Sequence, residues 1–212
     1  MKSQYGSAPF MKIFRRLLLC SIVFALTTAR ATPERVNANG DVIEPPNLEV
    51  STETAYLFGI IGNPNSYEIG AQFVTARWRL GLNDNPESFF RGYNQVYFLT
   101  MAEPIFRGPE NYYFGISTGF RYNFVRPGSR FTPYISGGVG LGFIDSHANI
   151  PGAQGQDFTF NILTAVGVSY QINEHWKANM GLLYQHLSNA QQTDPNPSLN
   201  LLGPQIGVTY SF

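Results

Sequence analysis

Residues 157–171, DFTFNILTAVGVSYQ, alternate with a period of two. Phe158, Phe160, Ile162, Val166, Val168 and Tyr170 fall on one face; Thr159, Asn161, Ala165, Gly167, Ser169 and Gln171 fall on the other. A period of two is a β-strand, because successive side chains point to opposite sides of the backbone. FTPYISGGVGLGF (131–143) and YYFGISTGFRYNF (112–124) repeat the pattern. Each has one aliphatic face with aromatic ends and one face of Gly, Ser, Thr and Asn. A sheet face turned to water carries charge, yet Lys and Glu are almost absent from both faces. A lipid face wants aliphatics flanked by aromatics, and a crowded barrel interior wants small hydrogen-bonding residues. The second description fits. Composition agrees with it: charged residues make up only 13% of the chain, beside 21 Gly, 17 Phe and 12 Tyr.

Eight such segments are expected, centred near residues 57, 74, 98, 118, 137, 164, 181 and 206. Each is long enough to cross a bilayer, which takes about 9–11 residues of tilted strand. An even number lets the sheet close with both ends on one side and leaves no unpaired edge in lipid. The fold class is therefore all-β, an eight-stranded antiparallel transmembrane barrel of the bacterial outer membrane. Phe212, ending VTYSF, resembles the assembly signal of such barrels. Arg77 and Arg79 flank Trp78 in the second segment; if they face the lumen, Val74, Trp78 and Leu80 face lipid.

The segments before the barrel read differently. Residues 1–31 are expected to be a signal peptide, with residues 1–10 an upstream misassigned start. Basic Lys12, Arg15 and Arg16 precede an apolar run from Leu17 to Leu26, and Ala29-Arg30-Ala31 is a cleavage signature. The run is too short for a membrane anchor, which needs ~20 apolar residues. Cys20 lies inside it behind Leu19, which is too large for a lipoprotein site, so the mature chain has no cysteine. Residues 32–50 read as an irregular periplasmic leader, and 51–212 as the barrel. With both termini periplasmic, inner turns fall at 83–89, 125–130 and 172–174, and outer loops at 62–67, 103–111, 145–157 and 189–200.

On this topology the seventh strand, HWKANMGLLYQHLS, runs outward. Its even positions face lipid, so Tyr184, His186 and Ser188 form a stripe at the outer leaflet. Residues two apart on a strand are ~6.6 Å apart along the backbone, so spacing alone leaves two readings. Either His186 and Ser188 are base and nucleophile, or they are polar residues in the headgroup zone.

HLSNA, followed by PNPSLN and a terminal strand ending in Phe, resembles the lipid A 3-O-deacylase (PagL) family. The resemblance is specific from Tyr184 to Asn200. It implies an outer-membrane serine esterase that removes an ester-linked acyl chain from lipid A of lipopolysaccharide. It implies Ser188 as nucleophile, His186 as general base, and Asn189 with nearby backbone N–H groups holding the oxyanion. No cofactor or metal is implied. The implied partners are lipopolysaccharide, the outer-membrane lipids and the outer-membrane assembly machinery, with a homodimer left open. The position fourteen residues after His186, where the best-known members carry glutamate, is Asn200. An asparagine can fix the histidine tautomer but brings no charge to stabilise the imidazolium. Asp194 is the carboxylate in the same loop that could substitute.

Other features read blandly. Asp145, His147 and Asp157 could hold Ca²⁺ but fit an ordinary polar loop, and His175 fits the periplasmic interface. GGVGLG lies inside a strand with no helix after it, so it is no nucleotide loop. Basic and acidic residues balance at 14 each, which gives no footprint for nucleic acid. A solute pore is disfavoured because eight strands enclose a lumen filled by side chains. The alternative function is a non-catalytic barrel serving adhesion or envelope integrity.

Overall fold

The computed structural model describes residues 35–36, 42–60, 67–126 and 128–212. The expected signal peptide, and residues 62–66 of the outer loop expected at 62–67, lie outside these. Within the expected leader, β1 (Arg35–Val36) pairs antiparallel with β2 (Val42–Glu44), so that segment is not wholly irregular. Eight long strands follow: β3 (Leu48–Gly59), β4 (Glu68–Asn83), β5 (Gly92–Arg107), β6 (Tyr112–Phe124), β7 (Phe131–Ile144), β8 (Phe158–Gln171), β9 (Trp176–Ser188) and β10 (Leu199–Ser211). Each pairs antiparallel with the next, and β10 pairs with β3 to close the barrel.

Alternation does what the sequence pattern requires. Val74, Trp78, Phe98, Phe120, Val139, Val166, Met180 and Ile206 point outward and are exposed. Aromatic pairs flank this aliphatic belt, with Phe131–Tyr170, Trp176–Tyr210 and Tyr210–Phe212 at the periplasmic end. Phe143–Phe158 and Tyr56–Phe106 lie at the outer end. Burying such a belt in lipid removes the apolar surface that water would penalise.

The lumen is packed in two layers. Toward the periplasm, Arg77 meets Glu53 at 3.1 Å, Lys177 meets Glu49 at 2.7 Å, and the Arg121 guanidinium lies 3.6 Å from the Tyr134 ring centre. Toward the outside, Leu57, Ile69, Tyr113, Leu187, Leu199 and Leu201 are buried together. Two glycines of GGVGLG make room for inward aromatics: a Cβ on Gly138 would lie 2.1 Å from the Tyr97 hydroxyl, and one on Gly142 2.4 Å from the Tyr113 hydroxyl.

Three expected boundaries move. β5 continues to Arg107, so only residues 108–111 form the second outer loop, and β10 begins at Leu199, inside the segment expected as loop. The barrel itself starts at Leu48 rather than residue 51. His175 stacks on Tyr210 at the barrel end that holds the last residues of β10.

Candidate active site

The last turn of β9 is set by its inward residues. Gln185 and Leu187 are fully buried in the lumen. Alternation then turns Tyr184, His186 and Ser188 outward, each half-buried. β10 enters opposite them, with Leu199 paired to Leu187 and Asn200 to His186. Directly opposed strand residues hold their Cβ atoms about 4.5–5.5 Å apart, close enough for side chains to bond across the ladder.

They do so. His186 Nδ1 lies 2.9 Å from Asn200 Oδ1. The Tyr184 hydroxyl donates to the same oxygen at 2.8 Å. Asn200 Nδ2 donates to the Ser198 carbonyl at 3.1 Å, which fixes the amide with its oxygen toward the ring. An oxygen there can only accept, so the ring carries its proton on Nδ1 and presents the Nε2 lone pair.

Ser188 ends the strand, opposite Phe160 of β8. Among the described residues its hydroxyl has no hydrogen-bond partner, His186 included. The chain then turns sharply. Asn189 is fully buried; its backbone N–H donates to Asn196 Oδ1 at 3.1 Å, and its side-chain amide donates to the Thr193 carbonyl at 2.7 Å and the Pro195 carbonyl at 3.4 Å. Ala190 and Gln191 follow in the left-handed region, with φ of 54° and 62°. Both are exposed, and neither N–H has an acceptor among the described residues.

A family model described as Lipid A 3-O-deacylase (PagL) matches residues 65–209. The chain belongs to the lipid A 3-O-deacylase (PagL) family. Its fold is similar to that in the crystal structure of the outer membrane enzyme PagL, at 16% identity and TM-score 0.55 over 77% of this chain and 99% of that one. It is likewise similar to neisserial surface protein A, NspA, at 15% identity and TM-score 0.57 over 78% of this chain and 97% of that one. At these identities the likeness carries the fold. No curated protein sequence matches the chain. The family and the apolar belt place the barrel in the bacterial outer membrane.

Of the residues expected from the PagL resemblance, His186 and Asn200 are joined directly, and Ser188 shares their outward stripe. The donors of Asn189 bond within the loop behind the site, and the N–H groups of Ala190 and Gln191, next to Ser188, have no acceptor among the described residues. Among the described residues no ion pair links Asp194 to His186. Sequence reasoning missed the hydroxyl of Tyr184 as a partner of Asn200, although its place two residues before His186 on the same face was legible.

The outer loops brace the site. Gly155 N–H donates to the Pro195 carbonyl at 2.7 Å, and Gln156 Nε2 donates to Gln192 Oε1 at 2.9 Å. Asp145 accepts the backbone N–H groups of Asn111 and Tyr112 at 2.8 and 2.9 Å. Asp157 accepts from the Ser146 hydroxyl and N–H, which hold its carboxyl below the usual range. Beneath them Tyr67 donates to Glu110 at 2.7 Å, and burial raises its phenol well above the usual value. The carboxylates of the 145–157 loop thus serve as loop acceptors.

Proposed function

We propose that the protein is an outer-membrane serine esterase that removes an ester-linked acyl chain from lipid A. Ser188 Oγ attacks the acyl carbonyl while His186 Nε2 takes its proton. The N–H groups of Ala190 and Gln191 hold the oxyanion as negative charge develops there. His186 then returns the proton to the departing sugar oxygen. A water, deprotonated by the same nitrogen, then attacks the acyl carbonyl; the bond to Ser188 Oγ breaks, and His186 returns the proton to that oxygen as the fatty acid leaves. Asn200 and Tyr184 hold the imidazole in the tautomer this needs.

The observation that carries the reading is the shared outward stripe of Tyr184, His186 and Ser188, with Asn200 bonded to the ring across the ladder. With this end of the barrel outward, the stripe would lie in the outer-leaflet layer, where the esters of a glycolipid lie. Catalytic hydrogen bonds are often long in unliganded enzymes and tighten with substrate, so the open Ser188–His186 contact is compatible with the role. We also read residues 1–31 as a signal peptide removed on export, residues 32–50 as a periplasmic leader, and Phe212 as a signal to the assembly machinery.

The unpartnered Ser188 hydroxyl favours a second reading, a non-catalytic barrel for adhesion or envelope integrity. Mass spectrometry of lipid A from cells expressing wild type or Ser188→Ala separates the two. Acyl loss with wild type alone is expected. Equal loss with both would remove the serine mechanism, and loss with neither would leave the non-catalytic barrel.

A further inference from the structure

The outer end of the barrel is poor in cations. Among the described residues there, Arg107 is the only Lys or Arg, and residues 61–66 carry none in the sequence. Glu68, Glu103, Glu110, Asp145, Asp157 and Asp194 lie at the same end. Arg107 is also out of step with its strand. Inward residues of β5 run Tyr93, Gln95, Tyr97, Leu99, Met101 and Glu103, all buried. Strict alternation would send Arg107 into the lumen after them. Instead the ladder slips between Glu68 and Ile69: Ile69 pairs with Ile105, but Glu68 pairs with Arg107. Phe106 is the extra residue of a bulge, and one extra residue reverses the facing of everything beyond it. Arg107 emerges outward, its side chain 63% exposed.

What it emerges beside is built. Arg107 Nη1 meets Glu68 Oε1 at 3.0 Å, and the Tyr56 hydroxyl donates to Glu68 Oε2 at 2.8 Å. Tyr56 stacks on Phe106 at 5.9 Å between ring centres and packs against Phe58 at 5.0 Å. Gly70 lets the Phe106 ring lie flat on the sheet, since a Cβ there would sit 2.7 Å from it. The registers also join this cluster to the active site. Tyr184 pairs with Leu202, Leu202 with Phe58, Phe58 with Glu68, and Glu68 with Arg107. One cross-strand row therefore runs from the site through an aromatic platform to the cation, four strand spacings or roughly 19 Å of sheet.

We propose that Arg107 anchors a phosphate of the glycolipid headgroup, with Tyr56 and Phe58 carrying the sugar faces between that phosphate and Ser188. A guanidinium fork matches phosphate geometry. Its exposed bond to Glu68 is weak enough to be shared, and it aims the fork along the row. The proposal rests on the esterase reading, so its test uses binding as well as turnover.

Ser188→Ala protein and Ser188→Ala/Arg107→Gln protein, each purified as the full barrel in detergent micelles, are titrated with phosphorylated lipid A, phosphatase-treated lipid A and phosphatidylglycerol. The Arg107→Gln change is expected to weaken phosphorylated lipid A about ten- to a hundredfold and to leave the other two unchanged. Arg107→Lys should restore part of the loss. Equal binding of phosphorylated lipid A by both proteins overturns the proposal. So does an equal loss for all three lipids, or a loss shared by phosphatidylglycerol, which would make Arg107 a general anionic-lipid contact. If wild type deacylates nothing while the affinity difference persists, the esterase reading fails and the phosphate site stands. Normal turnover with unchanged affinity is the reverse case.

Discussion

His186 and Asn200 sit directly opposite one another in the β9–β10 ladder and join side chains at 2.9 Å. The contact puts an amide where a Ser-His system usually has a carboxylate, and Tyr184 shares the amide oxygen. Asn200→Ala should free the ring and lower kcat on the order of tenfold, a part of the ~10²–10⁴ that a positioned base contributes. Asn200→Glu should raise kcat above wild type, because a carboxylate also stabilises the imidazolium. Tyr184→Phe should lower kcat a few-fold with little change in KM. Wild-type rates for the Ala variant would show that Asn200 does not orient the base.

Much of this arrangement was legible in the chain because alternation is binary. Parity alone puts Tyr184, His186 and Ser188 on the outward face of β9 and Gln185 and Leu187 in the lumen. In β4, where the sequence leaves the facing conditional, Arg77 lies inside and Trp78 outside. What alternation cannot carry is any feature that breaks it. The bulge at Phe106 leaves no mark in the alternation, so the pattern predicts a loop from residue 103 where β5 in fact runs on to Arg107. The loop contacts of Asn189 are hidden for a related reason. Its neighbours Thr193, Pro195 and Asn196 come back to it only through left-handed residues at 190 and 191, which the sequence does not announce with glycine.

Asn189 therefore gives a prediction of its own. An oxyanion donor removed from an intact site costs about 10²–10³ in kcat. Asn189 spends both its donors on the loop, so Asn189→Ala should instead loosen residues 190–198. Limited proteolysis should cut there sooner, and the loss of kcat should shrink as temperature is lowered. A full 10²–10³ loss with unchanged protease resistance would return Asn189 to the oxyanion role.

The 145–157 loop should respond to acid through Asp157. Bonds from the Ser146 hydroxyl and N–H lower its folded pKa. A lowered folded value means a contribution present above the unfolded value of roughly 3.9 and lost as pH falls through the folded one. Hydrogen-exchange protection of the Ser146 amide, corrected for intrinsic rate, should therefore hold at pH 6 and decline only as pH falls below that unfolded value. Ser146→Ala should move the onset of loop opening to higher pH. Protection that does not change across that range would remove Asp157 as the loop's fastening.

The barrel interior makes the last prediction. Arg77 Nη2 bonds both oxygens of Glu53 at 3.1 and 3.2 Å, with both side chains 5% exposed. Asn179 and Gln205 complete the carboxylate at 3.1 and 2.9 Å. A cavity of about 40 Å³ beside the pair, lined also by Arg121 and Tyr134, has room for a water or two. Removing one partner strands a buried charge, so Arg77→Met should cost about 3–5 kcal/mol in urea unfolding from lipid vesicles. Replacing both, as Arg77→Met with Glu53→Leu, should recover most of that, because well-packed apolar pairs match buried ion pairs. The double-mutant cycle would then give a large coupling. If the double variant unfolds as easily as the sum of the two single changes, the pair is not coupled and the polar layer is held by its amides instead.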